Sequence, residues 1–192
     1  MTSTSLRSAF AALALLAATL ASHTASAVDY TRLVTDKSAL SFTYKQMNAP
    51  MEGSFKRFKG TIAFDPAQPA KGSASFDIEV ASIDVGSPDG NGEIGGKQWF
   101  NAAQHPTARF VSSSIKPLGN NRFEVAGKLT IKGKTLDVST PVTYRADGAN
   151  GVFEGAFAIK RNDFAIGEGP WVDTSIVANE VQIKFRLVAA PK

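Results

Sequence analysis

Residues 123–144, FEVAGKLTIKGKTLDVSTPVTY, carry the information that decides the fold class. Apolar side chains fall on every second position on both sides of Lys132-Gly133-Lys134. A period of two is typical of β-strands with one buried face, and a Gly-containing break between two such runs predicts an antiparallel hairpin. The same alternation recurs along most of the chain, over 40–44, 58–64, 74–80, 153–159 and 181–187. The sequence therefore predicts one long antiparallel sheet with a single apolar face.

Turn signals separate the predicted strands, and the strand pattern lapses clearly only between Ser82 and Pro106. Within that interval, residues 86–92 are predicted to form a loop, and residues 93–104 have room for one or two turns of helix. Eight antiparallel strands with one apolar face close most naturally into a barrel, because closure removes exposed sheet edges. We therefore predict an all-β protein, an eight-stranded antiparallel barrel with one short helical excursion.

The first 27 residues have the pattern of a secretory signal. Arg7 precedes an Ala/Leu-rich run over 9–20, and Ala25-Ser26-Ala27 forms a small-x-small cleavage site. Because the apolar run is shorter than a bilayer span, an uncleaved membrane tether is the less favoured alternative. The prediction is a cleaved signal peptide over 1–27, one domain over 28–192, periplasmic localisation and no stable membrane span.

The amino-acid composition excludes several kinds of site and partner. The chain has no cysteine, which excludes disulfides, thiolate metal sites and a cysteine nucleophile. Its formal net charge is +4, with basic residues scattered among acidic ones, so no nucleic-acid partner is predicted.

The inventory of reactive side chains argues against catalysis. His105 is the one histidine beyond the predicted signal peptide, so neither a serine–histidine–acid triad nor a site of several histidines can be assembled. Unplaced carboxylates such as Asp163 and Glu168 leave a glycosidase-like pair as the remaining catalytic alternative. We predict no catalytic residues, no metal site and no cofactor.

Two segments carry a resemblance to a known family. Residues 97–112, KQWFNAAQHPTARFVS, and 125–135, VAGKLTIKGKT, resemble the central signature of the YceI-like family. Residues 41–66 are similar to the opening hairpin of that family, and 161–167, RNDFAIG, to an element near its end. These pieces occur in the right order and cover nearly all of the chain beyond the predicted signal peptide.

The resemblance implies a lipocalin-like, extended eight-stranded barrel that holds a long apolar ligand. The ligand it implies is a polyisoprenoid, an isoprenoid quinone or a similar lipid, held without catalysis for transport, storage or sequestration. It leaves a homodimer open. One departure is Ala165, which stands where the family often has glycine.

The residues themselves point to an interior with room for a ligand. Gly60, Gly127 and Gly155 fall in the inward phase of their strands, and a missing side chain there leaves space along the barrel axis. The alternative is that these glycines relieve curvature and that side chains fill the interior. The protein would then be a structural or partner-binding β-barrel domain.

The candidate ligand-binding residues are the inward apolar side chains and the groups expected at the barrel mouth. Arg161 continues the inward phase at the end of its strand, so it is either a ligand for a head group or part of an ion pair with Asp163 or another acid. Trp99, Phe100 and Trp171 border irregular segments and form either a doorway or a plug. The full predicted set is Phe42, Tyr44, Phe58, Phe76, Ile78, Trp99, Phe100, Phe110, Phe123, Leu129, Phe157, Ile159, Arg161, Phe164 and Trp171.

Overall fold

The computed structural model describes residues 29–192, so the signal peptide predicted over 1–27 lies outside the described residues. Within the described part, the chain forms eleven strands and one α-helix, α1. Their bounds are β1 (Tyr30–Leu33), β2 (Ala39–Gln46), β3 (Ala49–Phe55), β4 (Phe58–Ala63), β5 (Ser73–Glu79), β6 (Ile83–Asp84), α1 (Pro88–Ile94), β7 (Thr107–Gly119), β8 (Arg122–Ile131), β9 (Lys134–Asp147), β10 (Asn150–Lys160) and β11 (Glu180–Pro191).

All strands belong to one strongly curled antiparallel sheet. Hydrogen-bonded neighbours follow the order β4-β5-β7-β8-β9-β10-β11-β2-β3-β6. Strand β3 continues into β4 through only Lys56 and Arg57. Strand β4, at one end of this order, and β3, next to its other end, are therefore two parts of one bent strand. Counted as one, β3 and β4 join seven other long strands in a barrel of eight, which confirms the predicted class.

Hydrogen bonds continue across the bend. Ser54 pairs with Asp84 and Phe58 with Ile78 on either side of it. Between them the Lys56 amide donates to the Ser82 carbonyl at 3.0 Å, and the Glu79 amide donates to the Arg57 carbonyl at 3.0 Å. The short strand β1 spans β11 and the end of β4, through the bridge between Tyr30 and Phe64.

Two-residue turns set the register of the central hairpins. Lys132 and Gly133 have φ values of 48° and 75°, and Asn120 and Asn121 have 52° and 56°. Positive φ at both positions defines the tight turn whose twist matches that of the flanking strands. The Lys-Gly break in the sequence therefore joins β8 to β9 as predicted.

The helix does not lie where the sequence analysis placed it. Helix α1 spans Pro88–Ile94, most of which was predicted to be loop, and residues 95–104 form turns. Ser87 caps the helix, since its Oγ accepts a hydrogen bond from the Gly90 amide at 3.2 Å, and Pro88 occupies the first turn. A Ser-Pro start is a recognised helix signal, and here it outweighs the low helix propensity of two glycines.

Buried residues fall into two clusters. The first, the aromatic end, contains Tyr30, Phe64, Phe123, Tyr144 and Phe153, with ring centroids 5.1–6.2 Å apart. The hydroxyls of Tyr30 and Tyr144 are 3.0 Å apart. The second cluster includes Trp99, Ile159 and Ile166. Within residues 29–192, no helix is both long and apolar enough to cross a membrane.

Candidate functional site

An apolar cavity of about 350 Å³ occupies the barrel interior. Its wall includes side chains from both buried clusters, from Phe64 and Phe153 at the aromatic end to Trp99 and Ile166 at the other. Exposed residues Gln46 and Glu93 also line it, so the cavity reaches the surface near them. We call this end the mouth. The interior is therefore not filled by the protein's own side chains.

Thirteen of the fifteen predicted side chains lie on the cavity wall, and ligand binding by them stays a prediction. They are Phe42, Tyr44, Phe76, Ile78, Trp99, Phe100, Phe110, Phe123, Leu129, Phe157, Ile159, Arg161 and Trp171.

Phe58 and Phe164 lie away from the cavity wall. Phe164 belongs to a 3₁₀ turn over Arg161–Phe164, where the period of two no longer applies, and its ring is 1% exposed within the surrounding core. Phe58 follows the bend at Lys56-Arg57 and lines a separate cleft together with Thr35. Phe58 follows a bend in its strand and Phe164 follows the end of β10, so strand phase does not determine where either ring points.

Sequence reasoning left out two kinds of wall residue. Some share the inward strand phase and had a usable signal: Leu40, Ile62, Ala74, Val125, Val181, Ile183, Phe185 and Leu187. Others come from segments without strand periodicity and had no such signal: Val85 directly after β6, Glu93 and Ile94 on α1, and Ile166 and Val177 in the loop after β10.

The inward glycines provide space in a way the sequence did not reveal. A Cβ added to Gly155 would lie 2.5 Å from Cζ of Phe185, the residue paired with it across the strands. Gly60 faces the Phe76 ring and Gly127 the Phe110 ring in the same close manner. Each ring therefore covers a glycine on the neighbouring strand and stays close to the wall. The glycines leave lumen open because they accommodate these rings.

Arg161 is held by backbone carbonyls. Its side chain is 2% exposed. Nε donates to the Ala178 carbonyl at 3.2 Å, and Nη1 donates to the Ile166 carbonyl at 2.9 Å. Nη2 donates to the carbonyls of Trp171 at 2.7 Å and Val177 at 2.8 Å. The guanidinium thus joins the start of the loop after β10 to its later part.

The predicted ion pair of Arg161 is absent from this arrangement, and its role as a head-group ligand stays a prediction. Within residues 29–192, Arg161 makes no ion pair with Asp163 or any other acid, and carbonyls and the Asn162 side chain engage all three of its nitrogens. Burial lowers the pKa of the guanidinium, but arginine remains charged at physiological pH. Its charge is neutralised by dipoles rather than by a carboxylate.

Two indole rings stand at the mouth, beside Arg161 and the carbonyls that accept its hydrogen bonds, which together we call the Arg161 cradle. The ring centroids of Trp99 and Trp171 are 5.3 Å apart. Nε1 of Trp99 donates to Oε1 of Glu93 on α1 at 3.2 Å. Behind them, Nζ of Lys132 donates to the Ala165 carbonyl and to Glu168, both at 2.7 Å. The aromatic residues therefore form part of the wall where α1 and the loop after β10 meet.

Comparisons with known proteins agree with this geometry. The YceI-like domain profile matches residues 32–189. The structure of BcnA from Burkholderia cenocepacia superposes with a TM-score of 0.80 and 52% identity, covering 82% of this chain and 99% of that one. A UPF0312 protein of Pseudomonas savastanoi pv. phaseolicola is 30% identical over 88% of this chain and 93% of its own length.

A more distant structure shares the fold. A polyisoprenoid binding domain from Saccharophagus degradans has a TM-score of 0.65 and 16% identity, covering 86% of this chain and 99% of that one. The profile match extends from β1 to β11 and so includes every strand that builds the cavity. This chain, with its curled antiparallel barrel and apolar cavity, belongs to the YceI-like family.

Proposed function

We propose that the protein is a non-catalytic periplasmic carrier that holds one long apolar ligand in its barrel for transport, storage or sequestration. The observation that carries the proposal is the apolar cavity of about 350 Å³ in the barrel interior. Ligand sites in proteins are typically concave and mostly apolar, with a few polar groups that orient the ligand.

The size of the hydrophobic contribution favours binding of the ligand by the apolar wall alone. Burial of one methylene contributes about 0.8 kcal/mol. A prenyl chain of about twenty carbons would therefore gain on the order of 15 kcal/mol before the costs of association. Tight binding requires no covalent chemistry and no bound metal.

One structural neighbour supports a lipid ligand of the isoprenoid type. The Saccharophagus degradans protein is a polyisoprenoid binding domain, and it shares the fold of this chain. The periplasmic assignment rests on the signal-like pattern over 1–27. The proposed ligand is a polyisoprenoid, an isoprenoid quinone or a similar lipid.

Native mass spectrometry of the protein purified from the periplasm, followed by solvent extraction, tests this function. A lipid that copurifies at about one molecule per chain is expected. An unliganded mass that stays unchanged after incubation with prenyl lipids would contradict the proposal and point to a role for the outer surface.

A matched pair of variants links the bound mass to the cavity. Ala74 lines the cavity, and the next residue, Ser75, has the opposite strand phase. We expect Ala74→Trp to lose the copurifying lipid because the indole occupies its space, and Ser75→Trp to retain it. Equal retention by both folded variants would place the lipid outside the barrel.

A further inference from the structure

Apart from the two tryptophans, six polar side chains line the cavity, and three of them already have partners. Arg161 is engaged by carbonyls, and Glu93 accepts from Trp99 at 3.2 Å. Thr140 Oγ1 donates to the Ala156 carbonyl at 3.0 Å. The other three are Tyr44, Gln46 and Ser73.

Ser73 is far from the mouth along its strand. It pairs with Ala63, directly before Phe64 of the aromatic end. The remaining two, Tyr44 and Gln46, occupy successive inward positions at the end of β2. In the described part of the chain, neither side chain makes a hydrogen bond with another protein group. They are therefore unpaired hydrogen-bonding groups on the wall at the mouth, where the indole N–H of Trp171 is a third.

The surroundings of this pair orient it. The ring of Tyr44 stacks on Phe42 with centroids 6.0 Å apart. The backbone of Gln46 forms a β-bridge with Val177, whose carbonyl accepts from Arg161. The pair thus stands between the apolar wall and the Arg161 cradle, where the polar end of a long ligand would stop.

We propose that Tyr44 and Gln46 bind the head group of the ligand, and that this head group is a neutral carbonyl or hydroxyl rather than a phosphate. The inference rests on the proposed function, because it assumes that an apolar chain fills the barrel. The Tyr44 phenol donates one hydrogen bond, and the Gln46 amide both donates and accepts.

The charges at the mouth explain the exclusion of phosphate. A phosphate on the wall would need a free cation, but in residues 29–192 the one cation that lines the cavity is Arg161, and its N–H groups are engaged by carbonyls. Lys132 nearby is bound to Ala165 and Glu168. Glu93 adds a carboxylate at the mouth, and like charges repel. Burial raises the pKa of Tyr44, so its phenol remains a donor at physiological pH.

Three probes of equal chain length separate the contribution of the head group to binding from that of the apolar chain. They are a prenylated benzoquinone, the prenyl phosphate and the plain prenyl hydrocarbon. Each competes against one fluorescent apolar probe for the full protein and for Tyr44→Phe and Gln46→Leu. Tyr144→Phe is the hydroxyl control, since that phenol bonds to Tyr30 at the aromatic end. Gln182→Leu is the amide control, because Gln182 lies between the inward residues Val181 and Ile183.

The wild type should bind the quinone at least about five-fold more tightly than the phosphate. Each mouth variant should lose about three- to ten-fold in quinone affinity, as expected for one hydrogen bond, and keep its hydrocarbon affinity. Equal losses for quinone and hydrocarbon, or phosphate binding as tight as quinone binding, would overturn the assignment while leaving a lipid carrier. Failure of all three probes with the wild type would instead contradict the proposed function.

Discussion

The guanidinium carbon of Arg161 lies 5.6 Å from the centre of the Trp99 indole ring. The cation thus contacts the aromatic wall of the cavity on one side and backbone carbonyls of the loop after β10 on the other. Cations over indole faces gain additional attraction when they are desolvated. Arg161 therefore links the loop after β10 to the aromatic wall of the cavity.

Replacement of Arg161 by leucine should destabilise the protein strongly. The leucine leaves buried carbonyl acceptors, including those of Ile166, Trp171 and Val177, without donors. We expect a loss of about 3–5 kcal/mol in the free energy of unfolding, measured by chemical denaturation.

The control for this loss is Arg145→Leu, which removes an exposed arginine 3.5 Å from the exposed carboxylate of Asp147. Exposed ion pairs contribute at most about 1 kcal/mol, so this variant should stay close to the wild type. Equal stability of the two variants would show that the carbonyl cradle does not hold the loop. Stable Arg161→Leu protein that loses only lipids with head groups would instead support the predicted role of Arg161 as a head-group ligand.

Gly155→Ala should both destabilise the barrel and shrink the cavity. The new methyl group would overlap the Phe185 ring and lie 2.9 Å from the Pro141 carbonyl, so the ring must move into the lumen. Overpacking of this kind costs about 1–3 kcal/mol. Thermal denaturation and the capacity for a prenyl hydrocarbon, measured together, check both effects.

Gly92→Ala is the comparison for this substitution, because nothing lies within 4 Å of a Cβ at Gly92. It should preserve ligand capacity and leave stability unchanged or slightly higher, as alanine favours helices. A Gly155→Ala protein that keeps its full capacity for the prenyl hydrocarbon would show that other parts of the cavity wall move to accommodate the methyl group.

Strand periodicity was sufficient to predict the barrel and most of its lining. Residues such as Phe42, Phe76 and Ile159 alternate with polar ones, and a half-buried strand imposes that alternation directly. Tight turns also carry local signals, as the Lys132-Gly133 pair did. Both features are determined within a few residues of sequence.

What the sequence did not reveal depends on contacts between distant segments. The donors of Arg161 reach carbonyls as far along the chain as Ala178, and no local pattern encodes which acceptors a long side chain finds. The bend after Phe55 does have a local signal, because Phe55 and Phe58 are three residues apart and so out of strand phase with each other. Its consequence, that Phe58 leaves the cavity wall, follows only from the three-dimensional path of the bent strand.

Ala165→Gly should stabilise the protein. Ala165 has φ 55° and ψ 34°, a left-handed conformation that a Cβ disfavours and glycine adopts freely. Relief of that strain exceeds the entropy that glycine adds to the unfolded chain, so we expect a gain of about 0.5–1 kcal/mol in the free energy of unfolding.

Ala126→Gly is the matched control for Ala165→Gly. Ala126 lies in strand β8 and is not among the residues with positive φ, so glycine there should lower stability by about 0.5–1 kcal/mol. The two substitutions should therefore change the denaturation midpoint in opposite directions. A loss at both positions would mean that the methyl group of Ala165 makes contacts worth more than its strain.

The ion pair between Glu168 and Lys132 should make stability depend on acidity. The hydrogen bond from Lys132 lowers the pKa of Glu168. A lowered pKa contributes stability above the unfolded-state value of about 4.3, and that contribution is lost as the pH falls through the folded-state value. Glu168→Gln should therefore be less stable than the wild type at pH 7 and equal to it at about pH 2. Denaturation midpoints across this range test the prediction.

Glu180→Gln, at an exposed carboxylate without an ion pair in residues 29–192, should follow the wild type throughout. A constant difference between Glu168→Gln and the wild type at every pH would assign the effect to lost packing rather than to charge.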